Sequence, residues 1–224
     1  MSYVGDLMRR GIPVQVIIAG PTGSGKQTQS KIIAERLGIV HVSSGDIIKA
    51  GAQDGPVALK MAESYASSGT LVPDTLISAV MAHRLGQDDV LQKGWLMEGY
   101  PRNLQQAKSM EVSGFMPHVF VQLEIPEDVI HRRLEHRRKD PATGDEYHLL
   151  DDPPPEEDVA LCERLVRDER DSHAEIERRL VRYKETIDEL RSHFAAIIEV
   201  VNADQSVEDV TRDILAAVER HRFH

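Results

Sequence analysis

A single cysteine, Cys162, stands in 224 residues. That excludes an intramolecular disulfide framework and any multi-cysteine zinc site, and it points to a reducing, intracellular setting. Long apolar runs are missing as well. The longest lie around Val14–Ala19 and residues 195–201, far short of the roughly 20 residues that a membrane-spanning helix needs. The opening stretch MSYVGDLMRRGIPV has Arg9 and Arg10 but no apolar core, so it does not read as a secretory signal. Asp6 and the shortness of the stretch count against a mitochondrial presequence, which leaves the cytoplasm as the expected compartment and the mitochondrion as the less favoured one. Basic charge is scarce: 27 Lys and Arg against 37 Asp and Glu give a formal net charge of −10. A general nucleic-acid binder needs a basic face to neutralise phosphates, so neither a nucleic-acid nor a membrane partner is expected. The ten histidines show no metal-ligand spacing.

The hydrophobic fraction is 41%, enough for the core of one compact domain with a smaller insert. Short apolar runs at Val14–Ala19, 40–42, 95–97, 119–125 and 196–201 predict strands. Helical periodicity falls between them, over 55–68, 74–86, 127–138, up to about 193, and from Ser206. Buried strands alternating with helices imply an α/β fold with a parallel sheet covered on both faces. Ligands of such sheets bind at the carboxyl ends of the strands. Residues 139–156, KDPATGDEYHLLDDPPPE, break the pattern and read as an insertion without a core of its own.

The segment after the first strand, IIAGPTGSGKQTQ (17–29), carries the strongest chemical signal. Gly20, Gly23 and Gly25 let main-chain N–H groups approach an anion, the following helix adds its positive end, and Lys26 adds a full charge. Phosphate binding is the expectation. Such loops normally follow Lys with Ser or Thr for Mg²⁺, whereas here Gln27 follows and the hydroxyl arrives one place later, at Thr28. A second turn at a strand end, EGYPR (98–102), is placed to meet this loop across one cleft.

With SSGDIIK (43–49), SGTLVPD (68–74), EGYPRNLQQA (98–107), RLEHRRKDPATGDEYH (133–148) and RRLVRY (178–183), the chain resembles the adenylate kinase family of nucleoside monophosphate kinases. That family's loop typically reads GxPGxGKGTQ, so the late Thr28 fits it. The resemblance runs from about residue 14 to 218 and implies a P-loop core over 14–224, a nucleoside-monophosphate insert near 43–72 and a long lid near 138–175. Residues 1–13 are an N-terminal extension without an assigned role. Gly23, Ser24, Gly25, Lys26, Gln27 and Thr28 would hold the ATP phosphates, with Arg133, Arg137, Glu146, Tyr147 and Gln205 around the rest of ATP. Ser44, Lys49, Thr70, Leu71, Val72, Gly99, Tyr100, Pro101, Arg102, Gln106, Arg167 and Arg179 would surround AMP. Arg167 takes the place of a family arginine whose position falls on Asp168, with Arg170 as the competing neighbour, and Asp171 aligns with a hinge acid. Lys26, Arg102, Arg137 and Arg179 would stabilise the moving phosphoryl group, since this chemistry rests on positioning and charge. Mg²⁺ with ATP is the implied cofactor, with Thr28 and Glu98 acting on it through water. Asp140 and Thr143 stand where zinc-binding relatives have the first two lid cysteines, so no structural zinc is expected. The implied substrates are ATP, AMP and ADP, and the implied state is a monomer.

Three letters depart from the family pattern: Gln27 for Gly, Lys49 for Arg and Glu98 for Asp. Two other readings stay open. A UMP/CMP kinase shares fold and loop, and Asn103 leans that way while Gln106 and the long lid favour AMP. A nucleotide-binding sensor with impaired turnover rests on the three departures.

Overall fold

The computed structural model describes residues 13–50, 57–67 and 71–221, with the side chains of 49 and 50 left undescribed. Five parallel strands form the main sheet: β1 (Val14–Ala19), β2 (Val40–Ser43), β3 (Gly94–Glu98), β4 (Val119–Glu124) and the last strand, Ile198–Asn202, which becomes β7 once the hairpin strands below are counted. Their spatial order is β2-β3-β1-β4-β7, so the strand that feeds the glycine loop lies in the middle. Gln15 pairs with Trp95 and Ile18 with Glu98, which sets the ends of β1 and β3 side by side.

Alternation along β1 divides the core in two, as a strand's period of two requires. Val14, Val16 and Ile18 face α1 (Lys26–Leu37) and the C-terminal helix Val207–Arg220, packing on Ile33, Ala34, Leu37, Ile214 and Ala217. Ile17 faces the other way with Trp95, Met97 and Phe120, against Ile77 and Met81 of one helix and Ile187 and Leu190 of another. Between β2 and β3 run α2 (Ser44–Ala50), α3 (Val57–Ser67), α4 (Asp74–Leu85) and a short α5 (Asp88–Lys93) that the periodicity did not reveal. After β3 come α6 (Leu104–Val112) and, beyond β4, α7 (Glu127–His136).

A buried polar link ties the two helices on the first face together. Gln29 of α1 donates to the Val207 carbonyl at 2.9 Å and accepts from the Thr211 hydroxyl at 2.8 Å, and Gln29 is only 3% exposed. Gln29→Ala is expected to cost about 1 kcal/mol of stability, because the Val207 carbonyl and the buried Thr211 hydroxyl each lose a partner and keep the bond to one another at 2.8 Å. Urea unfolding of the two proteins measures it.

The proline-rich insertion departs from expectation. The α7 helix stops at His136 rather than 138, because Arg137–Lys139 becomes strand β5 and pairs antiparallel with β6 (Glu146–His148). After it lie α8 (Val159–Arg164), a single 3-10 turn (Glu169–Asp171) and the long α9 (His173–His193), and the helix Val207–Arg220 is α10. The insertion has a polar centre where an apolar one is missing. Asp140 is 1% exposed and accepts both Arg164 Nε (2.9 Å) and Nη2 (2.8 Å), together with Ala142 N–H (2.9 Å) and the Thr143 hydroxyl (3.1 Å). The Arg164 guanidinium and these donors hold the Asp140 carboxyl far below the usual carboxylate range. Arg164 lies 24 residues along the chain from Asp140, so one fork closes the whole stretch.

Candidate active site

The glycine loop leaves β1 and enters α1 at its positive end. Gly25 caps the helix in the left-handed conformation, φ 82°, and the first turn carries no acidic residue, so nothing there competes with an anion. Gly23 also has positive φ, 72°, and a Cβ on it would press Leu134 at 3.1 Å and Ile130 at 3.2 Å on α7. Only glycine lets the loop lie this close to that helix.

Lys26 Nζ turns back into the loop, donating to the Pro21 carbonyl at 2.5 Å with Ser24 Oγ at 3.5 Å. Burial lowers its pKa to about 8; Glu98 works against the fall, while Arg102, Arg179 and Arg137 add to it. These side chains come from the loop, the turn after β3, the hairpin and α9, yet each is near enough to be felt at one ammonium. Of the expected charged residues, Lys26, Glu98, Arg102, Arg137 and Arg179 thus share one place.

Two anchoring networks position the arginines. In the first, Asp171, fully buried, binds Arg137 through a fork, Nε to Oδ2 at 2.8 Å and Nη2 to Oδ1 at 2.7 Å. Arg179 Nη2 stands 3.6 Å from the same Oδ1 and also donates to the Arg170 carbonyl. Arg167 donates to the Asp171 carbonyl at 2.6 Å, whereas Arg170 pairs with Asp168 on the exposed side. Between the two arginines left open by the sequence, Arg167 is therefore the one attached to the Asp171 centre. Glu146 lies 3.4 Å from Arg137 Nη1, and Tyr147 is half-buried next to it in β6.

The second network surrounds Gly99, whose carbonyl accepts Arg102 Nε at 2.7 Å and Ser44 Oγ at 2.9 Å. Gln106 Oε1 accepts the Arg102 backbone N–H at 2.7 Å, and its amide donates to Asp74 at 2.6 Å. Asn103 caps α6 by accepting the Gln106 N–H at 2.9 Å and donates to the same Asp74 carboxylate at 2.8 Å. Asn103 therefore has a local task in the fold. Asp74 is the residue that the sequence reading missed as a site member; its only signal was the last letter of SGTLVPD.

Other expected residues fall less centrally. Arg133 bridges the glycine loop and the turn after β7, donating to Ala203 O at 2.9 Å with Gly23 O at 3.5 Å, and Gln205 donates to Asn202 O at 2.8 Å. Tyr100 points into the core, its hydroxyl bound to Ser78 at 3.0 Å and to the Gln106 carbonyl at 2.9 Å, and Pro101 is buried after a cis peptide bond. Leu71 is exposed and Val72 packs on the second core face. Gln27 and Thr28 are exposed on the first turn of α1. Glu98 Oε2 accepts from His41 Nε2 at 3.2 Å, a partner that no motif indicated. The Lys49 side chain and Thr70 lie outside the described residues.

Comparison with known proteins decides the relationship. The adenylate kinase family model matches residues 18–198. The chain belongs to the adenylate kinase family. It is 59% identical over 155 residues to the adenylate kinase of Trypanosoma brucei rhodesiense, covering 69% of this chain and 74% of that one. It is 35% identical over 198 residues to the maize protein named Adenylate kinase, chloroplastic, covering 88% of each. A mouse protein named Adenylate kinase 8 is 34% identical over 207 residues, where the match spans 92% of this chain and 43% of the mouse one. Membership in the adenylate kinase family makes the chain a nucleoside monophosphate kinase, a phosphotransferase with nucleotide substrates. Among the described residues, no helix is long and apolar enough to cross a membrane.

Proposed function

We propose that the protein catalyses the reversible, Mg²⁺-dependent transfer of the terminal phosphoryl group of ATP to AMP, giving two ADP. The observation that carries this reading is the pairing of Arg137 and Arg179 on the one buried Asp171 carboxylate, with Lys26 of the glycine loop near enough to both, and to Arg102, for their charges to lower its pKa. A phosphoryl group in flight spreads negative charge over its oxygens, and four cations around one point answer that charge with little reorganisation. The AMP phosphate is already anionic, so the reaction needs no base. On the donor side, the loop N–H groups and Lys26 grip the ATP phosphates, while Arg133 lies toward the base through its contacts with Gly23 and Ala203. On the acceptor side, Ser44, Arg102 and Gln106 are organised around Gly99 and Asp74. The 138–175 segment acts as a lid, bringing Arg167 over the phosphates beside Arg137 at its stem and excluding water, the competing acceptor.

Mg²⁺ is a hard cation that keeps much of its water. The Thr28 hydroxyl and the Glu98 carboxylate are oxygen donors of the kind that fits it, and these residues would hold it, so that it neutralises charge between the phosphates when bound.

The test uses ADP and Mg²⁺ alone. Equal amounts of ATP and AMP are expected by chromatography, and EDTA abolishes them. Absence of product overturns the reading; turnover with ATP and UMP or CMP instead moves the acceptor to a pyrimidine.

Lys26 provides a second, independent check. Its free pKa of about 8 rises when phosphates surround it, because anions favour the charged form. Binding of ATP at pH 8 is then expected to take up about half a proton, falling toward zero below pH 7, where Lys26 is already charged. Calorimetry in two buffers of different ionisation enthalpy reads the uptake, and Lys26→Met abolishes it.

A further inference from the structure

We infer that the protein carries a transition-metal site, formed by His131, His173 and Glu177, that joins the two stems of the 138–175 segment. His131 is on α7, which runs into the segment, and His173 and Glu177 are on α9, which returns from it. His173 and Glu177 are four apart and so share one face of α9, a turn from each other. His131 Nε2 is 2.8 Å from Glu177 Oε1, and the two imidazole centroids are 4.8 Å apart. One donor atom from each of the three residues falls within 4.8 Å of the others.

An ion pair between His131 and Glu177 explains two of the three members. It does not explain a second imidazole laid against the first with its own nitrogen turned to the same point. The donors are also held from below. Ile130 and Leu134 of α7 pack on Ile176 and Leu180 of α9, all buried, and each of the three donor residues lies next to or one turn from a member of that cluster. The spacing of the two helices is therefore fixed before any metal arrives, which lowers the cost of capturing one.

Two imidazoles and a carboxylate select Zn²⁺ and its first-row neighbours over Mg²⁺, which prefers oxygen alone. Bonds of about 2.0–2.1 Å to a tetrahedral zinc bring donor atoms to about 3.4 Å from one another. His173 is exposed, so its ring turns the remaining distance without disturbing the core. Three protein donors leave the fourth position to water. The expectation of no structural zinc concerned lid cysteines; this cluster joins residues far apart in sequence at the lid's base, where spacing alone gives no sign of it. None of its members is among the phosphate-binding residues, and the site holds whether or not the nucleotide assignment does.

The experiment titrates Zn²⁺ into the full chain after treatment with and removal of EDTA, without nucleotide, by isothermal calorimetry. One ion per chain is expected, not displaced by millimolar Mg²⁺, and Co²⁺ in its place gives the visible absorption of a low-symmetry nitrogen–oxygen site. His173→Asn and Glu177→Gln each weaken binding roughly tenfold or more, while His83→Asn, an exposed histidine at the end of α4, leaves it unchanged. Zn²⁺ raises the melting midpoint of the parent chain and not of His173→Asn. Because His173 is exposed, that variant folds and keeps the test decisive. No saturable one-to-one binding, equal affinity in His173→Asn, or displacement by Mg²⁺ overturns the site.

Discussion

Lys26→Met is expected to lower kcat by about 10³-fold while the fold survives. The side chain contributes little to the core: its ammonium bonds only the Pro21 carbonyl and, at 3.5 Å, Ser24. Its charge is another matter. It lies half-buried in a loop of backbone donors, within the influence of three arginines, where water shields it less and where a preorganised donor is worth about 10²–10³ in rate by itself. The methionine fills the same space without the charge, so binding of the base half of ATP persists and KM moves less than kcat. Steady-state rates in both directions, with circular dichroism to confirm folding, give the answer. A loss under tenfold shows that Lys26 is not the cation on the moving group.

Asp171→Asn is expected to produce the second large effect, about 100-fold in kcat, because Asp171 is buried against Arg137 and Arg179, the arginines proposed to act on the moving phosphoryl group. The carboxylate aims Arg137 through both of its oxygens and has Arg179 at 3.6 Å. An amide of the same shape offers one acceptor instead of two and no charge. Arg137 and Arg179 then face each other with no anion between them, and a misplacement of about 1 Å at the phosphates costs about 100-fold. Stability falls also, by about 3 kcal/mol, because a buried ion pair has lost one partner. Rates taken well below the melting midpoint separate the two consequences. If kcat is unchanged there, Asp171 serves the fold alone.

Much of this was legible in the sequence, and the exceptions have a common cause. Short apolar runs located β1 and the other parallel strands, and the three central ones, β1, β3 and β4, bury them almost throughout. The glycine loop was legible because its chemistry is local: the backbone angles, the helix end and the lysine all lie within a few residues. The turn at EGYPR was equally plain. What could not be read was contact between residues without a common period. Asp140 and Arg164 meet because the chain returns to pair Val166 with Lys139 at the end of β5, and a Pro- and Asp-rich composition looks like an unstructured loop when its centre is a polar fork. Asp74 looked like the start of a helix, which it is, and its bonds to Asn103 and Gln106 come from α6 packing nearby. Tyr100, quoted as part of a site motif, turned inward because a motif fixes the order of residues and not the face on which each one lies.

Pairing of Ile18 with Glu98 has a consequence for how the machine divides its labour. The donor loop and the acceptor turn spring from adjacent strands, separated by the roughly 4.8 Å of neighbouring backbones. No hinge motion alters that interval without tearing the sheet. On the proposed reading, the distance between the giving and the receiving side is thus built in as masonry, and travel is left to the arginines on the 138–175 segment and its two stems. Temperature and viscosity would then act on the arch alone, while the foundation keeps its dimensions until the protein itself unfolds.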